Sequence, residues 1–347
     1  MKTNQLGRTG IEVSALCLGS MTWGTQNTQA EGFEQMDFAV ANGINFIDTA
    51  EMYPVNPVSA DTQGRTEEII GNWFKQSGKR SDIVLATKAT GGGMDHIHGG
   101  VDLSPAKLRL SLESSLKRLQ TDYIDLYQLH WPNRSTYHFR KCWGFDATQQ
   151  PREQTLDQFR EILFALQSHV DAGKIRSIGL SNESCWGVAK YLDIAKNNRL
   201  PRVASVQNEY SLLCRLYDLD LAELSYHEDV GLLSFSPLAA GLLGGRYVDG
   251  KVPEGSRMSI NPGLNGRYTE HSKDALHQYI TAADKHGLHP AQMALAFCIS
   301  RPFMTSTIFG ATSMEQLKID IGASEIQLSE EVLSDIESIH RQYPMPI

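Results

Sequence analysis

The sequence predicts an α/β fold of the closed (β/α)8 barrel class, also called a TIM barrel. Short apolar runs alternate with longer segments of helical periodicity along the 347 residues, and eight such strand–helix units follow one another. The strand segments are apolar almost throughout, as expected for a parallel sheet that is buried on both faces. The GxGxxG motif of open dinucleotide-binding sheets does not occur in the chain. A closed barrel is therefore favoured over a doubly wound open sheet.

The elements can be placed in order along the chain. Alternating polar and apolar residues at 3–6 and 11–14, on either side of Gly7-Arg8-Thr9-Gly10, predict an N-terminal β-hairpin. The predicted barrel strands are 15–18, 45–47, 82–86, 124–129, 175–179, 204–206, 231–235 and 305–308. The predicted barrel helices are 31–41, 66–74, 105–119, 156–172, 186–196, 216–228, 290–299 and 313–321. Two extra helices are predicted at 270–286 and 329–341, and no Pro-, Gly- or Ser-rich linker divides 1–347 into separate domains.

The three longest connections, 89–103, 131–155 and 239–269, all follow predicted strands rather than helices. Loops that follow barrel strands gather at one mouth of the barrel. Barrel enzymes build their active sites at that mouth. The loop lengths therefore predict where the functional residues lie.

Composition excludes several classes of function. The chain has 32 Lys and Arg against 40 Asp and Glu, and its net charge of −8 argues against a nucleic-acid-binding surface. The polar N-terminal segment and the absence of a long apolar run predict neither a signal peptide nor a membrane span, so a cytoplasmic protein is expected. Five cysteines without a CxxC pair fit a reducing compartment. The sequence shows no exposed apolar stripe that would indicate an interface between subunits, so the oligomeric state stays open.

Ionisable residues follow three successive predicted strands. Asp48, Lys88 and His130 each come after an apolar run, and Tyr53 lies in the loop after Asp48. Because neighbouring strands lie about 4.8 Å apart, these four side chains are expected to converge at the mouth.

This quartet suits the reduction of a carbonyl group by hydride, which needs a proton donor for the nascent alkoxide. A phenol with a pKa near 10 holds its proton at neutral pH, and Lys88 is expected to lower that pKa toward the operating pH. Asp48 would keep Lys88 charged, and His130 would hydrogen-bond the carbonyl oxygen.

The quartet lies within longer motifs that point to a family. Asp48-Thr49-Ala50-Glu51-Met52-Tyr53, the strand end at Lys88 and His130-Trp131-Pro132 resemble the motifs of the aldo-keto reductase superfamily, over nearly the whole chain. Glu51-Met52-Tyr53-Pro54 and the Trp-rich insertion after His130 are similar to the Tas-like bacterial reductases within it. The resemblance implies an NADPH-dependent oxidoreductase that converts aldehydes or ketones to alcohols, with Tyr53 as the general acid.

The resemblance also implies a binding site for NADPH. Nicotinamide contacts are expected from the first strand end, from polar residues at later strand ends and from one aromatic ring, namely Gly19, Ser20, Met21, Ser181, Asn182, Gln207 and Phe235. Pyrophosphate contacts are expected from small residues, namely Ser236, Pro237, Leu238, Ala240 and Gly241, and phosphate contacts are expected from two arginines, Arg246 and Arg257. Adenosine and its 2′-phosphate are expected at a helix N-terminus, through Gly310, Thr312, Gln316 and Asp320.

The substrate is expected to be a small carbonyl compound. Trp23 and Trp131, together with Tyr53 and His130, are predicted to line an apolar mouth.

Two other functions remain open at this stage. Barrels of this kind include channel subunits that bind NADPH with little turnover. A metal-dependent hydrolase is disfavoured, because His96-Ile97-His98 lies in a Gly-rich loop and no set of ligands stands at other strand ends. No metal is expected.

Overall fold

The computed structural model describes residues 1–347, except for the side chain of Asp249. Two antiparallel strands, β1 (Thr3–Gln5) and β2 (Glu12–Ser14), form the predicted N-terminal hairpin. Leu6, Ile11 and Val13 of this hairpin are buried against residues from inside the barrel. The hairpin therefore plugs the end of the barrel where the strands begin.

Within the described chain, eight parallel strands close into a barrel, which confirms the predicted fold class. The spatial order is β10-β3-β4-β5-β6-β7-β8-β9, so each strand pairs with its neighbours in sequence and the last pairs with the first. The strands are β3 (Leu16–Gly19), β4 (Phe46–Asp48), β5 (Val84–Ala89), β6 (Ile124–Leu129), β7 (Ile175–Ser181), β8 (Val203–Glu209), β9 (Gly231–Phe235) and β10 (Met304–Phe309).

Helices surround the barrel and return the chain from the end of one strand to the start of the next. They are α1 (Gln29–Ala41), α2 (Arg65–Ser77), α3 (Pro105–Leu119), α4 (Arg152–Asp171), α5 (Cys185–Asn198), α6 (Asp220–Glu228), α7 (Arg257–Ile260), α8 (Glu270–Lys285), α9 (Pro290–Ile299), α10 (Met314–Gly322) and α11 (Glu330–Gln342). The prediction of two helices outside the barrel count is correct for α8 and α11 but omits α7. Four residues are too few to show helical periodicity in a sequence.

The long loops lie where the strands end. They connect β5 to α3, β6 to α4 and β9 to α8, as the sequence predicts. The core between strands and helices is apolar, whereas the barrel mouth holds buried polar groups such as Asp48, Lys88 and Gln207. No helix in the described part of the chain is long and apolar enough to cross a membrane.

Candidate active site

The four predicted catalytic side chains are brought together at the mouth of the barrel. Asp48 is the last residue of β4, Lys88 lies near the end of β5 and His130 directly follows β6. In the sheet, Asp48 pairs with Ala86 and Lys88 pairs with Gln128, so the strand ends lie side by side. Tyr53 reaches the same place from the loop after β4.

Lys88 is fully buried and uses its ammonium group to join three residues. Its Nζ donates to Asp48 Oδ2 at 2.6 Å, to the Thr49 carbonyl oxygen at 2.8 Å and to the Tyr53 hydroxyl at 3.4 Å. The same nitrogen lies 4.9 Å from the centre of the Tyr53 ring. The cation is thus held against the phenol by a carboxylate on its other side.

Burial and charge act in opposite directions on this pair. Burial is the largest single effect on Lys88 and opposes its charge, but the charges and hydrogen bonds of Asp48 and Tyr53 together outweigh it, so the pKa of Lys88 is raised and the amine is protonated. Burial raises the pKa of the Tyr53 hydroxyl, and the nearby Lys88 cation offsets this only in part. The net shift of Tyr53 is therefore opposite to the lowering expected from the sequence, because a residue pattern shows the charged neighbour but not the loss of water.

His130 is a neutral hydrogen-bonding group at this mouth. Burial lowers its pKa well below the ordinary value, and the positive charge of Lys88 lowers it further. Its ring centre lies 5.9 Å from that of Tyr53 and 4.9 Å from that of Trp131. Within the residues described, its Nδ1 is buried without a hydrogen-bond partner.

The loop that carries Tyr53 is fixed by backbone contacts on both sides. The Gly64 N–H donates to the Tyr53 carbonyl oxygen at 3.0 Å, and the Val55 N–H donates to that of Met21 at 3.2 Å. The Ser20 hydroxyl donates to the Asp48 carbonyl oxygen at 2.8 Å. The end of β3 thus supports the loop between β4 and α2.

Sequence reasoning missed one residue of this cluster, Gln128 on β6. It is fully buried, and its Nε2 donates to Asp48 Oδ1 at 3.2 Å. A long polar side chain inside an otherwise apolar strand was the only signal in the sequence that could have found it.

The residues predicted to hold nicotinamide border the same cluster. Ser181 ends β7 and pairs in register with Gln207 of β8. Asn182 Nδ2 donates to the His130 carbonyl oxygen at 2.9 Å and to Ser181 Oγ at 3.1 Å. Asn182 Oδ1 is buried and accepts no hydrogen bond from any described residue, so it is available to an amide donor.

Phe235 and the segment after it lie beside β8. Phe235 pairs in register with Glu209, two residues beyond Gln207. Four of the six residues from 236 to 241 have a left-handed backbone: Ser236, Ala239, Ala240 and Gly241. Such a backbone, built from small residues, presents N–H groups at close range.

Glycines leave little distance between the first and last strands of the barrel. A Cβ at Gly19 would lie 3.0 Å from Ile308 Cγ2, and a Cβ at Gly310 would lie 3.2 Å from the Gly19 carbonyl oxygen. The two glycines therefore allow the ends of β3 and β10 to pack closely against each other.

Arg257 begins α7 and forms no ion pair within the described residues. Burial and, to a lesser extent, the positive charge of Arg267 lower the pKa of its guanidinium to about 10. Its buried Nε has no hydrogen-bond partner among the described atoms. Arg246, by contrast, is exposed on the loop after β9.

The N-terminus of α10 carries the predicted adenosine site. Ser313 caps the helix, and the Thr312 N–H and hydroxyl lie 3.0 and 3.1 Å from Gln316 Oε1. Asp320, two turns further on, is 3% exposed, and burial raises its pKa to about 8. The region thus holds a carboxyl group that the protein has buried without an ion-pair partner among the described residues.

Comparison with known proteins decides the family. The aldo/keto reductase family model matches residues 15–341. The chain is 44% identical to the protein tas of Escherichia coli (strain K12), with 100% of this chain and 99% of the relative covered. It is 36% identical to the uncharacterized oxidoreductase YrpG of Bacillus subtilis (strain 168), covering 98% and 96%. It is 31% identical to a probable voltage-gated potassium channel subunit beta of Arabidopsis thaliana, covering 99% and 98%.

The chain belongs to the aldo/keto reductase family. Membership makes it a relative of oxidoreductases, and binding of NAD(P)H is typical of that family.

Trp23, which the sequence predicts to line the substrate mouth, lies elsewhere in the structure. Trp23 is fully buried rather than exposed at the mouth, and its Nε1 donates to Gln35 Oε1 at 2.8 Å. Its ring packs on Gly32 of α1, where a Cβ would lie 3.4 Å from the indole. The tight turn from 23 to 27 directs the ring toward α1, so Trp23 is part of the core and the prediction of a substrate contact is wrong.

Trp131 does lie at the mouth. It is partly buried, its Nε1 donates to the Gly92 carbonyl oxygen at 3.2 Å, and it packs on an apolar cluster beside Tyr53. The other members of this cluster are Ala50, Met52, Val55, Met94 and Ile97. The wall facing Tyr53 and His130 is therefore apolar.

The histidine pair considered for a metal has another contact. His98 lies in the loop after β5, and its Nε2 is 3.3 Å from Oε2 of Glu51, which lies in the loop after β4. No group of three or more His, Cys, Asp or Glu side chains among the described residues could hold a metal ion.

Proposed function

We propose that the protein is an NADPH-dependent reductase that converts aldehydes or ketones to alcohols. The observation that carries the proposal is the fully buried Lys88 ammonium, whose donors reach both Asp48 and the Tyr53 hydroxyl. This arrangement places a protonated phenol beside a cation that can stabilise the phenolate left after proton transfer.

The residues of the chain divide the chemistry between them. Bound NADPH would supply the hydride for the carbonyl carbon. Tyr53 gives its proton to the carbonyl oxygen, and Lys88 stabilises the resulting phenolate while Asp48 balances its charge. His130, neutral because burial lowers its pKa, donates a hydrogen bond to the same oxygen and orients the substrate. A high pKa keeps Tyr53 protonated, which is the state that a proton donor needs.

The chain's own polar atoms fit a dinucleotide. Asn182 Oδ1 and Arg257 Nε are buried without partners in the described structure, which costs free energy unless a ligand satisfies them. A carboxamide offers N–H groups to the first, and a phosphate offers oxygens to the second. The Arg257 cation forms no ion pair within the described residues, and this supports NADPH over NADH because NADPH carries one more phosphate.

A second candidate function is that of an NADPH-binding regulatory subunit with little turnover. It is supported by the 31% identity to a probable potassium channel subunit beta over nearly the full chain. Fold and family alone do not separate a binding subunit from an enzyme.

A single-turnover experiment tests both candidates. Protein loaded with NADPH is mixed with 4-nitrobenzaldehyde, and oxidation of NADPH is followed by its near-ultraviolet absorbance. We expect the parent to oxidise NADPH and Tyr53→Phe to be slower by about a hundred- to ten-thousand-fold, with NADPH binding retained. Tyr279→Phe is the matched control, because the buried Tyr279 hydroxyl on α8 has no partner within the described residues.

Two results would count against the reductase. Equal rates for the parent and Tyr53→Phe would remove Tyr53 from its role. NADPH that binds but stays unoxidised across a broad panel of aldehydes would favour the regulatory subunit.

A further inference from the structure

Gln128 occupies a place inside the barrel that the sheet register fixes. It pairs with Lys88 of β5 on one side and with Gly179 of β7 on the other. A Cβ at Gly179 would lie 3.1 Å from Gln128 Cγ, so the glycine makes room for the glutamine side chain. Gln128 thus lies at the level of Lys88, inside the barrel and below the mouth.

Gln128 joins Asp48 to Gln207 across the barrel. Its Nε2 donates to Asp48 Oδ1 at 3.2 Å, and its Oε1 accepts from Gln207 Nε2 at 3.2 Å. Gln207 Nε2 also donates to Asp48 Oδ1 at 2.8 Å. The three side chains form a closed triangle in which every edge is a hydrogen bond.

The chemistry of Asp48 fixes the orientation of both amides. Asp48 is ion-paired with Lys88, and a carboxylate only accepts hydrogen bonds. Gln128 and Gln207 must therefore both turn their NH2 groups toward it. The second Gln207 hydrogen is taken by Gln128 Oε1, which leaves the Gln207 carbonyl oxygen as the group available to a ligand.

We propose that Gln128 is a positioning residue that holds the Gln207 amide with its carbonyl oxygen free to accept a hydrogen bond from the nicotinamide carboxamide. This inference rests on the proposed function, because it concerns how the same site binds and orients the nicotinamide of the cofactor. A carboxamide has a donor end and an acceptor end, so a fixed acceptor selects one orientation of the nicotinamide ring. Through Asp48, the same triangle connects that orientation to the Lys88–Tyr53 pair.

The test separates the nicotinamide half of the cofactor from the adenosine half. Binding of NADPH and of 2′,5′-ADP, which lacks nicotinamide, is measured by titration calorimetry for the parent and for Gln128→Met. Methionine is of similar length but cannot fix the Gln207 amide. We expect NADPH binding to weaken about tenfold, the equivalent of one good hydrogen bond, and 2′,5′-ADP binding to stay unchanged.

A second variant gives a readout that a merely structural role would not produce. In Gln128→Glu, a protonated carboxyl can donate to Asp48 and accept from Gln207, as the glutamine does. The ionised form would face the Asp48 carboxylate, with Lys88, Tyr53, His130 and Cys17 as the other ionisable groups near that level. We therefore expect NADPH affinity close to that of the parent at acidic pH, falling below it as the pH rises, with 2′,5′-ADP affinity following the parent throughout.

Tyr127→Phe is the matched control, since Tyr127 neighbours Gln128 in β6 and its hydroxyl has no partner among the described residues. It should bind both probes like the parent. Equal NADPH binding by Gln128→Met and the parent would overturn the inference, as would an equal loss of both probes or a pH-independent Gln128→Glu. Failure of the parent itself to bind NADPH would instead overturn the proposed function.

Discussion

Asp320 is a buried carboxyl group whose protonation state affects the stability of the fold. Its side chain is 3% exposed, and burial alone raises its pKa from 3.8 to about 8. The folded protein therefore holds a proton at neutral pH that the unfolded chain releases. A carboxyl group in this position costs stability whenever it ionises.

The sign of the resulting pH dependence is definite. Between about pH 4 and about pH 8 the folded state binds the proton and the unfolded state does not, so the contribution of Asp320 to stability falls as pH rises. We expect Asp320→Asn to match the parent near pH 4 and to be more stable by several kcal/mol near pH 8, at about 1.4 kcal/mol per pKa unit. Denaturant unfolding across this range measures the difference, and the point near pH 4 is its internal control. A difference that does not change with pH would contradict the shift.

At the same scale, the sequence predicted only part of the polar cluster at the mouth, for a physical reason. The convergence of Asp48, Lys88 and His130 could be predicted because each follows an apolar strand, and ionisable groups in that position are unusual. Gln128 was missed because it lies one step inside such a strand. Trp23 was misplaced because a turn, rather than a periodic element, sets the direction of its ring. The raised pKa of Tyr53 depends on the exclusion of water, which a residue pattern does not record.

At the scale of the elements, the barrel strands were predicted in the right places, but four of them, β5, β7, β8 and β10, were predicted too short. Predicted strands ended at 86, 179 and 206, whereas β5, β7 and β8 continue to Ala89, Ser181 and Glu209. The missing segments contain polar residues, and hydrophobic periodicity ends where polarity begins. Those polar residues include Lys88, Ser181 and Gln207, so the strand ends that periodicity cuts off are the ones that border the candidate site.

The short helix α7 provides a prediction about the cofactor. Arg257 at its first position has no partner for its buried Nε among the described residues, so its removal should not destabilise the fold. We expect Arg257→Ala to weaken NADPH binding about tenfold to a hundredfold and to change NADH binding little, because a charged hydrogen bond to the extra phosphate is lost. Fluorescence titration with the two nucleotides measures both affinities.

The control for this variant is Arg8→Ala. Arg8 forms an exposed ion pair with Asp229 at 2.7 Å, at the other end of the barrel. It should leave both nucleotides unaffected. Equal weakening of NADPH and NADH by Arg257→Ala would place the arginine at a phosphate that the two nucleotides share.

At the scale of the whole molecule, one carboxylate ties two long loops to the barrel. Glu209 ends β8, and its Oε2 accepts from Arg140 Nη1 at 2.7 Å while its Oε1 accepts from Arg267 Nε at 2.6 Å. Arg140 belongs to the loop between β6 and α4, and Arg267 to the loop between β9 and α8. Both loops border the mouth of the barrel. Glu209 therefore holds both loops against β8, the strand that also carries Gln207.

This coupling predicts a local opening without a change in the barrel. Glu209→Gln leaves two largely buried guanidinium groups without their carboxylate, which costs about 3 kcal/mol, or roughly a hundredfold in the opening equilibrium. We expect faster amide hydrogen exchange in 131–151 and 239–269, while amides of the barrel strands exchange as in the parent. Asp229→Asn, which removes the pair between side chains that are 55% and 58% exposed, should change neither loop. Faster exchange in only one loop would show that the two ion pairs act separately, and faster exchange throughout the barrel would show that Glu209 supports the fold rather than the cover of its mouth.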